Sequence, residues 1–329
     1  MDTVHEPSTF FLGPHHVVHR PDSPEGFLLD STAPVRQHFA FSTELPDAGP
    51  RSDVSTAPFH DLLFPVEGLR QTAMFAARQY FRVPHSRRPV FALGGTEITS
   101  VEPWRRTARR ARITLELGLT PTDVVNGVPR GLECEATASI EGERCGTAQA
   151  RLIFLTPGVY HGHRDLGRQQ SEESLAAGHG ELRPVGMPAP ERVGHREARN
   201  VLVGLPVEET GEGLAFPIDT DAAGAVLARD ADEVPALLFL EASRQAALLA
   251  AAELHGFVPS HALLTSWQAS FRGFAEPGLP LYCTVRGDAM PGAAPGRDAA
   301  GRPVAGLRLS FFQGERVVAQ VSATVLQDC

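Results

Sequence analysis

Residues 60–73 read His60-Asp61-Leu62-Leu63-Phe64-Pro65-Val66-Glu67-Gly68-Leu69-Arg70-Gln71-Thr72-Ala73. Residues 234–247 read Val234-Pro235-Ala236-Leu237-Leu238-Phe239-Leu240-Glu241-Ala242-Ser243-Arg244-Gln245-Ala246-Ala247. Each carries Glu-x-x-Arg-Gln inside an apolar pattern of helical period, and each runs on to a Val-Pro pair, Val83-Pro84 and Val258-Pro259. Glu241 and Arg244 stand 174 positions after Glu67 and Arg70. A repeat of that length is a duplicated domain, not a solenoid.

The first helix is predicted over roughly 61–82. Leu62, Leu63, Val66, Leu69, Ala73, Met74, Ala77 and Phe81 cover more than one stripe, the mark of a buried helix. The second, over roughly 236–256, is richer still in Ala and Leu. Around them the period changes to two, as in antiparallel strands: Phe91–Leu93, Ile98–Val101, Ala111–Leu119, Leu132–Ile140 and Thr147–Leu155, with a hairpin turn at Glu141–Arg144. Short strands are expected at Gly26–Asp30 and Phe39–Thr43, after a lead-in with turn residues around Val17–Arg20. The second half repeats the plan. Asn200–Val203 matches the Phe27–Asp30 strand, Leu214–Ile218 matches the strand around Phe41, and Leu281–Gly287, Gly306–Phe312 and Val317–Leu326 close the unit. Ala275-Glu276-Pro277 echoes Val101-Glu102-Pro103. Gly314-Glu315-Arg316 echoes Gly142-Glu143-Arg144. Residues 156–192 show no periodicity and read as a connecting stretch. The expected organisation is therefore a first domain over 1–160, a linker over 161–192 and a second domain over 193–329. A curved antiparallel sheet that wraps a long helix explains why the helix is apolar nearly all round. The fold class is α+β, a tandem double hotdog, and the chain forms a pseudo-dimer with approximate two-fold symmetry, open to further oligomers.

Bulk properties narrow the function. Over 329 residues the hydrophobic content is 42%, the charged content 21% and the net charge −9. These are values of a soluble globular protein, and the acidity argues against nucleic acid as a partner. No run of about 18 apolar residues occurs, so no membrane span is expected; no signal peptide is evident, and a cytoplasmic location is expected. Cys134, Cys145, Cys283 and Cys329 form no CxxC pair, which suits a reducing compartment and no structural zinc. His15, His16 and His19 lack a carboxylate at ligand spacing, so neither metal nor cofactor is expected. No phosphate-binding Gly-rich loop, GxSxG motif or Cys–His nucleophile is present.

The polar residues on the two apolar helices carry the chemistry. Glu67, Arg70 and Gln71 lie at i, i+3 and i+4 on one face, as do Glu241, Arg244 and Gln245. Charge on a buried helix is costly unless paired or used. Two readings follow: an internal Glu–Arg pair in each copy that fixes helix on sheet, or a site between the helices to which one copy gives a carboxylate and the other a cation. His60 and Asp61 stand at the entrance of the first helix, where His60 reads as a cap, a surface residue or a base. Arg105, Arg106, Arg109, Arg110 and Arg112 form a basic run that is either a solvated strand edge or a docking patch for an acidic carrier. Trp104 and Trp267 read as packing residues.

The repeated Glu-x-x-Arg-Gln-(Ala/Thr)-Ala helix with its Val-Pro ending, the Asn-Val-Leu opening of the second half and the Glu-Val-Pro before the second helix resemble the A-factor biosynthesis hotdog family (AfsA type). The resemblance spans about Val17 to Leu326. It implies transfer of a β-ketoacyl group from an acyl-carrier-protein or acyl-CoA thioester to the hydroxyl of a small phosphorylated acceptor such as dihydroxyacetone phosphate, in γ-butyrolactone-type or related secondary metabolism. By position it implies Glu67 and Arg244 as catalytic residues, with Arg70, Gln71, Glu241, Gln245, Asp61 and His60 binding substrate. Glu67 would serve as base or orient the hydroxyl. Arg244 would face either the thioester oxygen as it becomes negative or the acceptor's phosphate. One departure stands out. Where the family has Asp-His-Pro-x-Asp-His-Val-Pro-Gly, this chain has Ala228-Arg229-Asp230-Ala231-Asp232-Glu233-Val234-Pro235-Ala236, so both histidines and the glycine are gone. A dehydratase or thioesterase acting on the same thioester, and a non-catalytic acyl-binding relative, are the alternatives.

Overall fold

The computed structural model describes residues 16–20, 35–45, 58–107, 109–179, 182, 186–209, 213–221, 234–288 and 294–328. The strand expected at Gly26–Asp30 and the approach Ala228–Glu233 lie outside the described residues.

The described strands form one antiparallel sheet carried by two blocks of the same plan. In the first block β2 (Gln37–Glu44), β4 (Arg112–Val125), β5 (Val128–Ile140), β6 (Glu143–Leu155) and β3 (Arg88–Ile98) lie side by side in that order. In the second the order is β8 (Gly213–Ile218), β10 (Leu281–Gly287), β12 (Pro303–Gln313), β13 (Arg316–Gln327) and β9 (Ala262–Phe271). The blocks meet where β3 pairs with β9, with Gly94 opposite Ala269 and Gly95 opposite Gln268. Short strands extend the outer edges: β1 (His16–Arg20) on β2, and β7 (Val207–Glu209) on β8. A two-residue strand, β11 (Gly296–Arg297), pairs with β12. The hairpin at Glu141-Gly142 has positive φ at both residues (50° and 86°), the type I′ turn that suits strand twist.

Two helices lie against this sheet. The first, α1 (Leu63–Gln79), packs on β4 and β5. The Asp61 carboxylate accepts the Leu63 N–H (2.9 Å) and so caps its first turn. The other central helix, α3 (Ala236–His255), packs on β8, β9, β10, β12 and β13 and also touches α1. It is buried almost all round, from Leu238 to Ala251 with only Arg244 partly open. Phe239 sits edge-on to Phe271 (5.6 Å) and Phe311 (5.1 Å). α1 differs from its reading as a helix buried on most sides: it buries one face, and Phe75 is 48% exposed. The cores interlock across the seam. Leu63 of α1 belongs to the core under α3, while Leu263 and Leu326 of the second block belong to a core beside α1. An α+β hotdog fold results.

Three segments depart from expectation. Residues 157–176, read as unstructured linker, form a 20-residue helix, α2 (Pro157–Ala176). Its buried side lies at Tyr160, Arg164, Gly167 and Ser171, a helical period in which only Tyr160 is hydrophobic. Val17–Arg20, read as turn residues, belong to β1. Asn200–Val203, read as a strand, instead end a 3-10 turn (Ala198–Asn200), and Val203 makes one isolated bridge to Ile218. Gln245 explains this: its amide donates to Asn200 O (2.8 Å) and accepts from Leu202 N (2.8 Å), taking the backbone groups a neighbouring strand would use.

Candidate active site

On α1 the carboxylate of Glu67, 6% exposed, is the hub of a small cluster. Arg70 binds it in a fork, Nε to Oε2 at 2.6 Å and Nη2 to Oε1 at 2.7 Å, and Gln71 Nε2 donates to Oε1 at 2.8 Å. Helical spacing dictates this, since i+3 and i+4 lie over the same turn. Burial works to lower the Arg70 pKa, but the bonds and charge of Glu67 outweigh it and leave the guanidinium raised above its ordinary value.

On α3 the same triplet is more deeply enclosed. Glu241 is 2% exposed and accepts from Arg244 Nε (2.9 Å), Arg244 Nη2 (2.6 Å) and Gln245 Nε2 (2.6 Å). A histidine that no motif pointed to, His195, joins it, with Nε2 2.8 Å from Glu241 Oε1 and 2.9 Å from Arg244 Nη2. The position 174 earlier is Pro21, so the repeat gave no signal for it. Gly194 makes the approach possible. Its φ is +77°, and a Cβ there would stand 2.9 Å from Arg244 Nη1. Burial works to lower the Arg244 pKa, and Glu241 together with the nearby charge of Asp61 more than offsets it.

Glu67 and Arg244 thus belong to separate hydrogen-bonded clusters, the first built from α1 alone among the described residues and the second from α3 together with His195. What distinguishes the first cluster is space. A cavity of about 730 Å³ is lined by Glu67, Arg70, Met74, the N-terminal residues Ala236 and Leu237 of α3, and His163 and Leu166 of α2. Arg70, Phe91, Ala236, Leu237 and Phe271 also line a narrower apolar pocket of about 80 Å³ that continues inward past Ala136, Ala150, Leu152 and Trp267. Arg244 does not line either space. A polar mouth, a carboxylate on the wall and an apolar inner end give the arrangement of a site for an amphiphilic ligand.

Compared with known families, residues 1–156 and 181–327 match the model of the A-factor biosynthesis hotdog domain. The chain belongs to the A-factor biosynthesis hotdog family. No curated protein matches this family member in a direct comparison. Among solved structures it is similar to the 12:0-ACP thioesterase from Umbellularia californica, at 10% identity and TM-score 0.45, over 88% of this chain and 93% of that one. It is also similar to an acyl-ACP thioesterase from Bacteroides thetaiotaomicron, at 10% identity and TM-score 0.44, over 88% and 97%. A third similar structure is a MaoC-like dehydratase, at 13% identity and TM-score 0.42, over 86% of each chain.

The remaining candidates in this A-factor biosynthesis hotdog protein fall into place around the two clusters. His60 is buried at 6% exposure, its backbone N–H bonded to Trp104 O (2.8 Å), and it is Asp61 that caps the helix. The basic run divides. Arg105 binds Asp328 through Nη1 (2.6 Å) and Nη2 (2.7 Å) and Glu102 through Nε (2.8 Å), stapling the end of the second block to the first. Arg106 Nε donates to Phe59 O, and Arg110 pairs with Glu44. Arg109 and Arg112 are exposed. Trp104 is a packing residue whose Nε1 donates to Cys145 O (3.1 Å). Burial pushes the Cys134 and Cys145 thiols up to about 12 and about 11, and raises Cys283 as well, which unsuits them as nucleophiles. Among the described residues no helix is long and apolar enough to cross a membrane.

Proposed function

We propose that this chain is a tandem double hotdog acyltransferase. In this reading it moves a β-ketoacyl group from a carrier-protein or coenzyme A thioester to the hydroxyl of a small phosphorylated acceptor such as dihydroxyacetone phosphate, in γ-butyrolactone-type or related biosynthesis. One observation carries the reading: the cavity that has Glu67 and Arg70 on its wall and an apolar pocket behind it. The acyl chain would occupy the apolar pocket and the thioester would lie beside Glu67. The acceptor O–H gives its proton to the Glu67 carboxylate as the oxygen attacks the thioester carbon. The C–S bond then breaks, and the leaving thiolate takes the proton back from Glu67. Arg70 and Gln71 fix the facing of the carboxylate, and the free edge of the Arg70 guanidinium is placed to stabilise charge on the thioester oxygen.

Arg244, which the resemblance pairs with Glu67, is read here as a positioning residue. It holds Glu241 of its own helix and His195, which reaches it from outside α3. Incubation of the protein with a β-ketoacyl thioester and dihydroxyacetone phosphate, followed by mass spectrometry, tests the proposal. Formation of the ester is expected. Free acid or an enoyl thioester appearing equally well without acceptor would replace the transferase with a thioesterase or dehydratase. Tight binding with no turnover of any kind would leave an acyl-binding protein.

A further inference from the structure

Charge around the mouth of the cavity does not balance. Glu276, 1% exposed, receives Arg164 of α2 through two bonds (3.1 and 2.5 Å) and Arg168 through one (3.2 Å). Its charge is therefore met from α2. A third guanidinium, Arg316 at the start of β13, stands beside it yet binds no carboxylate among the described residues. Arg316 Nε donates to Ser171 Oγ (3.1 Å) and Nη2 to Phe274 O (2.7 Å). Burial lowers its pKa, and the charge of Glu276 only partly opposes this. Arg272 is similar. It donates to Gln320 Oε1 (3.3 Å), and among the described residues no carboxylate lies within ion-pair distance of it. Sheet geometry puts the two side by side, because Arg272 N donates to Val318 O (2.8 Å), two residues along β13 from Arg316. Both line the cavity, with His163 of α2. Space is cleared for Arg316: a Cβ at Gly273 would stand 2.6 Å from its Nη1.

A guanidinium carries about five N–H donors, and these two leave most of theirs unused. Arg272 is exposed, but Arg316 is half-buried, and a cation held partly out of water without a counter-charge bonded to it is costly. An arriving anion recovers that cost, and the guanidinium fork matches phosphate geometry. The carboxylate on the same wall, Glu67, is already bound by Arg70 and so does not neutralise them. The chain as a whole is acidic, with net charge −9, so this surplus of positive charge is local to the mouth.

We propose that Arg316 and Arg272, with His163, form a phosphoryl-binding site at the mouth of the cavity that anchors one of the two co-substrates. The inference rests on the reading of the cavity as the acyl-transfer site. It moves phosphate recognition away from Arg244, whose Nε and Nη2 are engaged by Glu241 and His195 and which lines neither space. The phosphoryl group has two possible sources, the phosphorylated acceptor or the phosphopantetheine arm that carries the acyl group.

Calorimetric titration of the full chain with two matched pairs separates them: dihydroxyacetone phosphate against dihydroxyacetone, and 4′-phosphopantetheine against pantetheine. In one pair the phosphorylated member binds about tenfold to a hundredfold more tightly, the worth of one or two charge-assisted bonds, and that pair names the source. Arg316→Gln removes the preference, Arg316→Lys restores part of it, and Arg272→Gln weakens it. Melting curves report whether each variant folds. If Arg316→Gln does not, Arg272→Gln, at an exposed position, carries the test. Equal binding of both members in both pairs by the wild-type protein, or a preference untouched in the folded variants, overturns the site. The two proposals fail separately. Phosphate preference with no ester formed leaves this site and defeats the transferase, whereas ester formed with no phosphate preference does the reverse.

Discussion

The triplet on α1 and the triplet on α3 are chemically the same and are used differently. Glu67 faces a cavity of about 730 Å³, and among the described residues its hydrogen-bond partners come from its own helix. Glu241 is packed from every side: helix mates below, His195 above, and Gln245 tied to the backbone of Asn200 and Leu202. One motif occurs twice in the chain, and packing sorts the two copies. Where the wall opens, the carboxylate is available for chemistry. Where it closes, the same carboxylate becomes the centre of a structural network whose members all need it.

That contrast is sharpest in what each loss would do. Glu241→Gln takes the bonded counter-charge from buried Arg244 and sets an amide NH2 where a carboxylate oxygen accepted. A loss of about 3–5 kcal/mol is expected, as for the removal of one partner from a buried pair, with the molecules that still fold transferring acyl groups at close to the normal rate. Chemical denaturation followed by assay below the midpoint checks both halves. A stable but inactive Glu241→Gln protein would break the comparison by giving α3 a catalytic role.

Arg105→Gln tests the joint between the blocks and should cost less, about 1–3 kcal/mol, the range for bonds to charged groups, because Arg302 stays 3.6 Å from Asp328. Its pH dependence has a definite sign. Bonding to Arg105 holds the Asp328 carboxyl below its ordinary value of 3.8. The stability it contributes is thus full above that value and lost as pH falls through the lowered folded value. The gap between wild type and variant should be constant near neutrality and close as the solution becomes strongly acidic. A gap that widened on acidification would contradict the assignment.

The smallest effect probes the apolar end of the site. Ala136 lines the inner pocket behind Glu67, and Ala136→Leu fills it. Use of long acyl chains relative to short ones should fall by about tenfold, the worth of one or two displaced methylenes, with stability little changed. An unaltered chain-length profile would place the acyl group elsewhere.

How far these features could be read beforehand depends on which residues face inward. The long strands β4, β5, β6, β12 and β13 and the helix α3 were legible because apolar side chains mark their buried faces at the right period. α2 was not, since its inward stripe is Tyr160, Arg164, Gly167 and Ser171, and it docks through the Arg164–Glu276 pair and the Tyr160–Phe274 contact. β9 escaped notice because a central strand joining two blocks is buried on both sides in places and does not alternate cleanly. At the candidate site the triplets were visible as a repeat, but their inequality was not. It arises from His195 and Gly194, which lie 46 and 47 residues before Glu241 and belong to no motif. Nor could the sequence show that Arg272 and Arg316 line one cavity, since it is the pairing of β9 with β13 that brings their strand ends together.

The decisive measurement is the initial rate of ester formation by Glu67→Gln beside the wild-type protein, at matched folded concentration, with β-ketoacyl thioester and dihydroxyacetone phosphate. Removal of a group that moves a proton in the transition state should slow transfer by about 10²–10⁴-fold while the protein melts near the wild-type temperature. A folded Glu67→Gln protein that transfers within about threefold of the wild-type rate, far short of the loss expected on removing a general base, would show that the open cavity beside α1 is not where the reaction happens.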